Sequence, residues 1–223
     1  MTTSERSIDV TIEAVDRKVF ASAVDWPGWS RSGKTEDAAV ESLIAYAGRY
    51  APIARAAGEA FDPDSVEVDV VERLSGGGGI DFGVPDQVTD QDRRAVTAAG
   101  AERLAALVDA SWKAFDRISN DAPEELRKGP RGGGRDTSKV VDHVLGSEQA
   151  YANVMGIKRK EFPTSDRPQL DDLRAEMLAI IGAPSDGDVI AGKRWTTRYA
   201  AHRIAWHALD HAWEIEDRSE PAG

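Results

Sequence analysis

The chain has 223 residues, of which 41% are hydrophobic and 30% charged, enough apolar material for a folded core and ordinary for a globular protein. Its 28 Lys and Arg against 39 Asp and Glu leave a formal charge of −11, which repels phosphate backbones and argues against nucleic acid as the main partner, although a local basic stretch can still bind a small anion. With no cysteine, disulfides, thiolate metal sites and cysteine nucleophiles are excluded, and any metal has to be held by imidazole or carboxylate.

At this length two domains are expected. Ile8 to Ala14 and Lys18 to Val24 alternate apolar and polar residues, as half-buried strands do, and read as a pair joined near Asp16. Trp26-Pro27-Gly28-Trp29 and Ser32-Gly33-Lys34-Thr35 punctuate the chain, and Thr35 can cap the helix that follows. Ala39, Leu43, Tyr46, Ala47 and Tyr50 share one helical face, which predicts a helix from about Glu36 to Ala57 packed on the strands. Val66, Val68 and Val70 alternate as another strand. Gly76 to Gly79 interrupt the pattern, and Ile80, Phe82 and Val84 suggest one last short strand before Pro85 and Asp86. The boundary therefore falls between Gly79 and Asp90, giving an α+β domain over residues 1–85, with a small antiparallel sheet and one helix, and a second domain over 90–223.

Helical periods dominate the rest. Ala101, Leu104, Val108, Trp112, Phe115 and Ile118 form one stripe; a second helix is predicted from Asp136-Thr137-Ser138 to about Gly156, a third from Gln169 to Ile181 and a fourth from Arg194 to Asp217. Burying four such stripes together gives an all-α, up-and-down four-helix bundle, in which the second and fourth helices run parallel and can meet across the core. No apolar stretch follows a basic one near Met1, and no run of about 18 apolar residues occurs, so neither a signal peptide nor a membrane span is expected, and the protein reads as soluble and cytoplasmic.

Histidines stand at 143, 202, 207 and 211. At 100° per residue His207 and His211 lie about 40° and one turn apart, the spacing that lets two imidazoles grip one ion, while His202 is rotated about 140° away from His207. The pair can equally be a chance pair or a solvated face, but Ala200, Ile204 and Ile215 share its stripe. Imidazoles facing a core without partners would each cost roughly 1 to 3 kcal/mol, a cost that a shared metal removes. His143 is the third candidate ligand, because Val140, Ala150 and Val154 mark its face of the second helix as inward. Three protein ligands with open positions mark a reactive site, whereas structural zinc normally closes with four. Ala208 stands where a zinc protease would carry its glutamate, which excludes that motif.

Other polar residues are open to two readings. Asp142 and Asp210 adjoin histidines and are either outer acceptors or solvated surface. The stretch from Arg127 to Arg135 is basic and glycine-rich; it can rim the site and hold an anion, with Arg135 nearest the helix, or it can be a solvated connector. Arg203 is either a second anion clamp or a salt-bridge partner. Glu214, one turn beyond His211, is the nominee for general base, with a fourth ligand or a helix salt bridge as competing roles.

Asp142-His143-Val144-Leu145-Gly146-Ser147-Glu148 and Trp206-His207-Ala208-Leu209-Asp210-His211-Ala212-Trp213-Glu214 resemble the DinB/YfiT-like family of four-helix bundles, which places one histidine on the second helix and a His-x-x-x-His pair on the fourth. The resemblance spans about Asp90 to Arg218. It implies a bound divalent metal, zinc, nickel or iron, a homodimer, and a relation to transferases and isomerases that use a low-molecular-weight thiol. From about Ile8 to Leu74, the strand pair, the Trp26 to Thr35 segment and the helix resemble a HicB-type module, and only its fold is carried over. The functional expectation is a metal-dependent enzyme, a thiol-dependent transferase or isomerase or a hydrolase, acting on a small molecule. The alternative is a non-catalytic binding or stress-response protein with a structural or vestigial metal, whose first domain recruits a protein partner.

Overall fold

The computed structural model describes residues 7–81, 83–128 and 134–219. A small four-stranded sheet with helices is followed by four long helices, the fold class expected. Strands β1 (Ile8–Val15), β2 (Lys18–Ala23), β3 (Ser30–Gly33) and β4 (Val68–Ser75) lie in the order β3-β2-β1-β4. The sheet is mixed rather than wholly antiparallel. β1 and β2 form the expected hairpin and β3 pairs antiparallel to β2, but β4 joins the other edge of β1 in parallel after the chain has crossed over through its helices. β3 arises from residues that read as punctuation.

The predicted helix over 36–57 is two helices, α1 (Glu36–Ala45) and α2 (Ala47–Ala56), separated at Tyr46. Thr35 caps α1 by accepting from the Ala38 amide. The break turns α2 so that Tyr50 is fully buried, donates to the Pro27 carbonyl and stacks on Trp29. The strand suggested at Ile80 to Val84 is instead a single helical turn, α3 (Gly78–Asp81), with Phe82 outside the described residues. Its start is held by Asp86, whose carboxylate accepts from the Gly79 amide; a Cβ at Gly79 would lie 2.6 Å from that carboxylate, so the turn needs glycine.

The long helices are α4 (Ala98–Asp121), α5 (Thr137–Val154), α6 (Arg167–Ile181) and α7 (Thr197–Ser219). α4 and α7 run parallel, since Leu107, Ala110 and Ala114 join a cluster with Leu209 and Trp213 while Asp121 lies by Ser219. α5 is antiparallel to α7: His143 meets His211, whereas Tyr151 meets Trp195 and Asn153 meets Lys193. α6 follows the direction of α5, as Asp142–Thr164 and Glu148–Arg174 contacts require. The expected neighbours on the second and fourth helices are therefore present, but antiparallel. The connection over residues 155–166 allows this, because twelve extended residues reach about 40 Å while α6 is only about 22 Å long.

α7 is buried on nearly every side. Ile204, Ala205, Ala208, Ala212 and Ile215 join the bundle core, and Leu209 and Trp213 face the sheet and α4. One apolar cluster joins Val10, Ile12, Ala21, Trp29 and Tyr50 to Leu107 and Leu209, so sheet and bundle share core. Among the described residues, no helix is long and apolar enough to cross a membrane.

Candidate metal centre

The three candidate histidines converge. His143 projects from α5, and His207 and His211 from successive turns of α7; one ligand nitrogen from each lies within 4.8 Å of the other two. The Nε2 atoms of His143 and His207 are 3.2 Å apart, and the three ring centroids are separated by 4.8 to 5.0 Å. A tetrahedral zinc at its usual nitrogen distance holds pairs of ligand nitrogens about 3.3 Å apart, so the His143–His207 pair already stands at that separation and the other pairs, within 4.8 Å, have to draw in to reach it. Three imidazoles suit zinc, nickel or iron better than calcium or magnesium.

The electrostatics favour neutral imidazoles, the form that binds metal. His207 is 6% exposed, and burial, with His211, Arg203, His143 and Arg135 adding to it, pushes its pKa down to about 2. Burial also lowers that of His143, followed by the charge of Arg135. His211 is oriented from outside: its Nδ1 lies 2.8 Å from Glu214 Oε2, which leaves Nε2 toward the other histidines. The other oxygen of Glu214 accepts from Arg218 at 2.7 Å, and the His211 contact foremost holds the carboxyl down at about 2. Glu214 is thus engaged at both oxygens.

The remaining candidates are dispersed. His202 points away from the triad, with Nε2 2.8 Å from the Val24 carbonyl. Asp142 accepts from Thr164, and Asp210 pairs with Arg31 at 2.9 Å, so neither supports a histidine. Arg135 is exposed and acts on His143 and His207 through its charge. In the basic stretch, residues 129–133 lie outside the described residues; Arg127 donates to the Asp217 carbonyl, and Arg218 donates to that of Arg127. These bonds hold the start of the stretch at the end of α7 from which Glu214 and Arg218 reach His211. Arg203 lies over the rings of Tyr151 and Trp206, at 5.4 and 5.0 Å.

Tyr151 escaped the sequence reading. Its ring lies 5.7 Å from His207, and burial raises the pKa of its hydroxyl. Its only signal was its place two turns beyond His143, where an aromatic reads as core.

Four helices with a three-histidine cluster between α5 and α7 are what the geometry defines. No family model, curated protein or solved structure matches this chain.

Proposed function

We propose that this chain is a metal-dependent enzyme acting on a small molecule, with one divalent ion held by His143, His207 and His211. The observation that carries this reading is the convergence of three imidazole nitrogens, drawn from two antiparallel helices, within 4.8 Å of one another. When bound, such an ion supplies a Lewis acid that lowers the pKa of a coordinated water or thiol. Around it the chain does the positioning. Glu214 fixes the ring and tautomer of His211, and Arg218 fixes Glu214. With Glu214 so engaged, its role is to orient His211 rather than to accept protons from substrate. Tyr151 closes one side of His207, and the charge of Arg135 favours an anionic or polar substrate.

The metal is zinc, nickel or iron, and the histidine layout is the one the DinB/YfiT-like resemblance implies, which favours transfer or isomerisation with a low-molecular-weight thiol, in a homodimer, over hydrolysis. A chain without cysteine suits a cytoplasmic setting for such chemistry. Elemental analysis of purified protein tests the site: about one ion per chain is expected, and less than about half an ion would sink it. In a cobalt-substituted sample, a spectral change on adding thiol or azide is expected from an open position, and an unresponsive spectrum would make the metal structural.

A further inference from the structure

The sheet presents an unusual face to α7. Val10, Ile12, Ala21 and Ala23 fill the core on one side of β1 and β2, while Thr11, Glu13 and Ser22 point to the other. That second face is covered by α7 and residues 85–92, so Thr11, Glu13 and Ser30 are buried although polar. Thr11, Ser22 and Ser30 are in register across three strands, forming a row of hydroxyls. Among the described residues none of the three makes a side-chain hydrogen bond. The row borders a cavity closed from the other side by Tyr199, His202, Arg203 and Trp206.

The acids and bases of this cavity are unevenly matched. Glu13 accepts from the amides of Asp86 and Gln87, at 3.0 and 3.4 Å, and Asp92 accepts from the Thr89 amide and hydroxyl. Both carboxylates are committed to the segment that closes the cavity, and His202 is committed to Val24. Two donor groups are left over, although the half-buried Arg203 also lies beside the Tyr151 hydroxyl. Arg203 Nη1 and Trp206 Nε1 are buried without a hydrogen-bond partner, Trp206 is only 4% exposed, and Arg203 makes no ion pair among the described residues. One guanidinium nitrogen and one indole N–H, buried and unpaired, carry a desolvation penalty that an acceptor entering the cavity removes. An anionic, planar acceptor matches the guanidinium best.

We propose that this cavity is a second small-molecule site, distinct from the metal centre, and that it takes a two-carbon carboxylate bearing a hydroxyl. Arg203 and Trp206 donate to the carboxylate, and the row of Thr11, Ser22 and Ser30 receives the hydroxyl. The cavity volume, about 50 Å³, sets the size: a water needs roughly 10 to 15 Å³ on the same measure, which leaves room for about four or five heavy atoms. Glycolate is the matching probe.

Nitrogen-15 spectra of the full chain separate its six tryptophan indole signals, and Trp206→Phe identifies the one that belongs to the site. Titrating glycolate is expected to move that signal saturably. Arg203→Gln is expected to weaken binding at least tenfold, and Ser22→Ala, a smaller change that tests the hydroxyl row without disturbing the fold, severalfold. Binding persists in His207→Ala, whose metal ligand is gone. The proposal is overturned by an indole signal that stays fixed up to roughly 100 mM glycolate, far weaker than the millimolar range of small-ligand sites. Equal binding by Arg203→Gln and the parent would overturn it too, as would a shift abolished in His207→Ala, which would assign glycolate to the metal centre.

Discussion

Along α7 three imidazoles meet one another; next to them an arginine and an indole face a row of hydroxyls, with one nitrogen of each left unpaired. Both clusters are half-buried or buried, and both draw on a helix that is otherwise almost wholly core. In the first, the groups needing a partner are lone pairs, and the nitrogens crowd to 3.2 Å around a point that a cation can occupy. In the second the groups are donors, and the space between them has the volume of a small acid. A third cluster shows what satisfied burial looks like. Arg174, 6% exposed, pairs with Glu148 at 2.8 Å and with Asp116 at 2.8 Å, so that each nitrogen of its guanidinium has a carboxylate partner. The contrast teaches that burial alone does not mark a site; burial with an unmet valence of one sign does, and the sign names the ligand.

The largest effect expected separates the first cluster from the third. His207→Ala takes away the most buried ligand and leaves two imidazoles on different helices, so metal content should fall to background by elemental analysis, with little loss of stability in the metal-free protein. Arg174→Met should do the reverse. It leaves Glu148, 2% exposed, without a counter-charge, and denaturant unfolding should report a loss of about 3 to 5 kcal/mol with metal content unchanged. If His207→Ala instead unfolds the metal-free protein, the triad is structural in the same sense as the Arg174 pair.

How legible these clusters were in the sequence follows from their spacing. His207 and His211 declare themselves because a four-residue step on a helix fixes their relative direction, and His202 was removed by the same rule. The third ligand, His143, was accessible because its helix had an apolar face to place it. The path of the chain was not: a connection long enough to run back along the bundle leaves the direction of α6 undetermined, so α5 and α7 were expected parallel and are antiparallel. The sheet misled in a different way. Alternation in β1 and β2 made Thr11, Glu13 and Ser22 look like the solvent face, since nothing local reveals that α7, nearly 200 residues on, will cover it. The parallel addition of β4 and the break at Tyr46 are likewise set by tertiary packing rather than by local pattern.

A smaller effect tests how the metal cluster is supported. Glu214→Gln keeps the shape of the contact to His211 but loses its charge, and outer partners of this kind typically contribute ten- to a hundredfold in metal affinity. Competition with a chelator should show weakening in that range, with stoichiometry retained at saturating metal. No change would mean that Glu214 serves only its pairing with Arg218.

The last effect concerns the second cluster and is read through pH. Burial, opposed by the amides of Asp86 and Gln87, raises the Glu13 carboxyl from 4.5 to about 7. A carboxylate raised on folding binds its proton more tightly in the folded state, so the stability it contributes is whole below about pH 4.5 and is lost as pH rises to about 7. Glu13→Gln has no charge to bury and escapes that loss, although it keeps only one acceptor oxygen for the two amides. The stability of the variant relative to the parent should therefore improve from pH 4.5 to 7 and stay level above it. At about 1.4 kcal/mol for each pH unit, the improvement is at most about 3.5 kcal/mol. Melting curves at pH 4.5, 6, 7 and 8 would show it; a difference flat across that range would mean that water reaches Glu13, and that the polar face of the sheet is wetter than its burial beneath α7 implies.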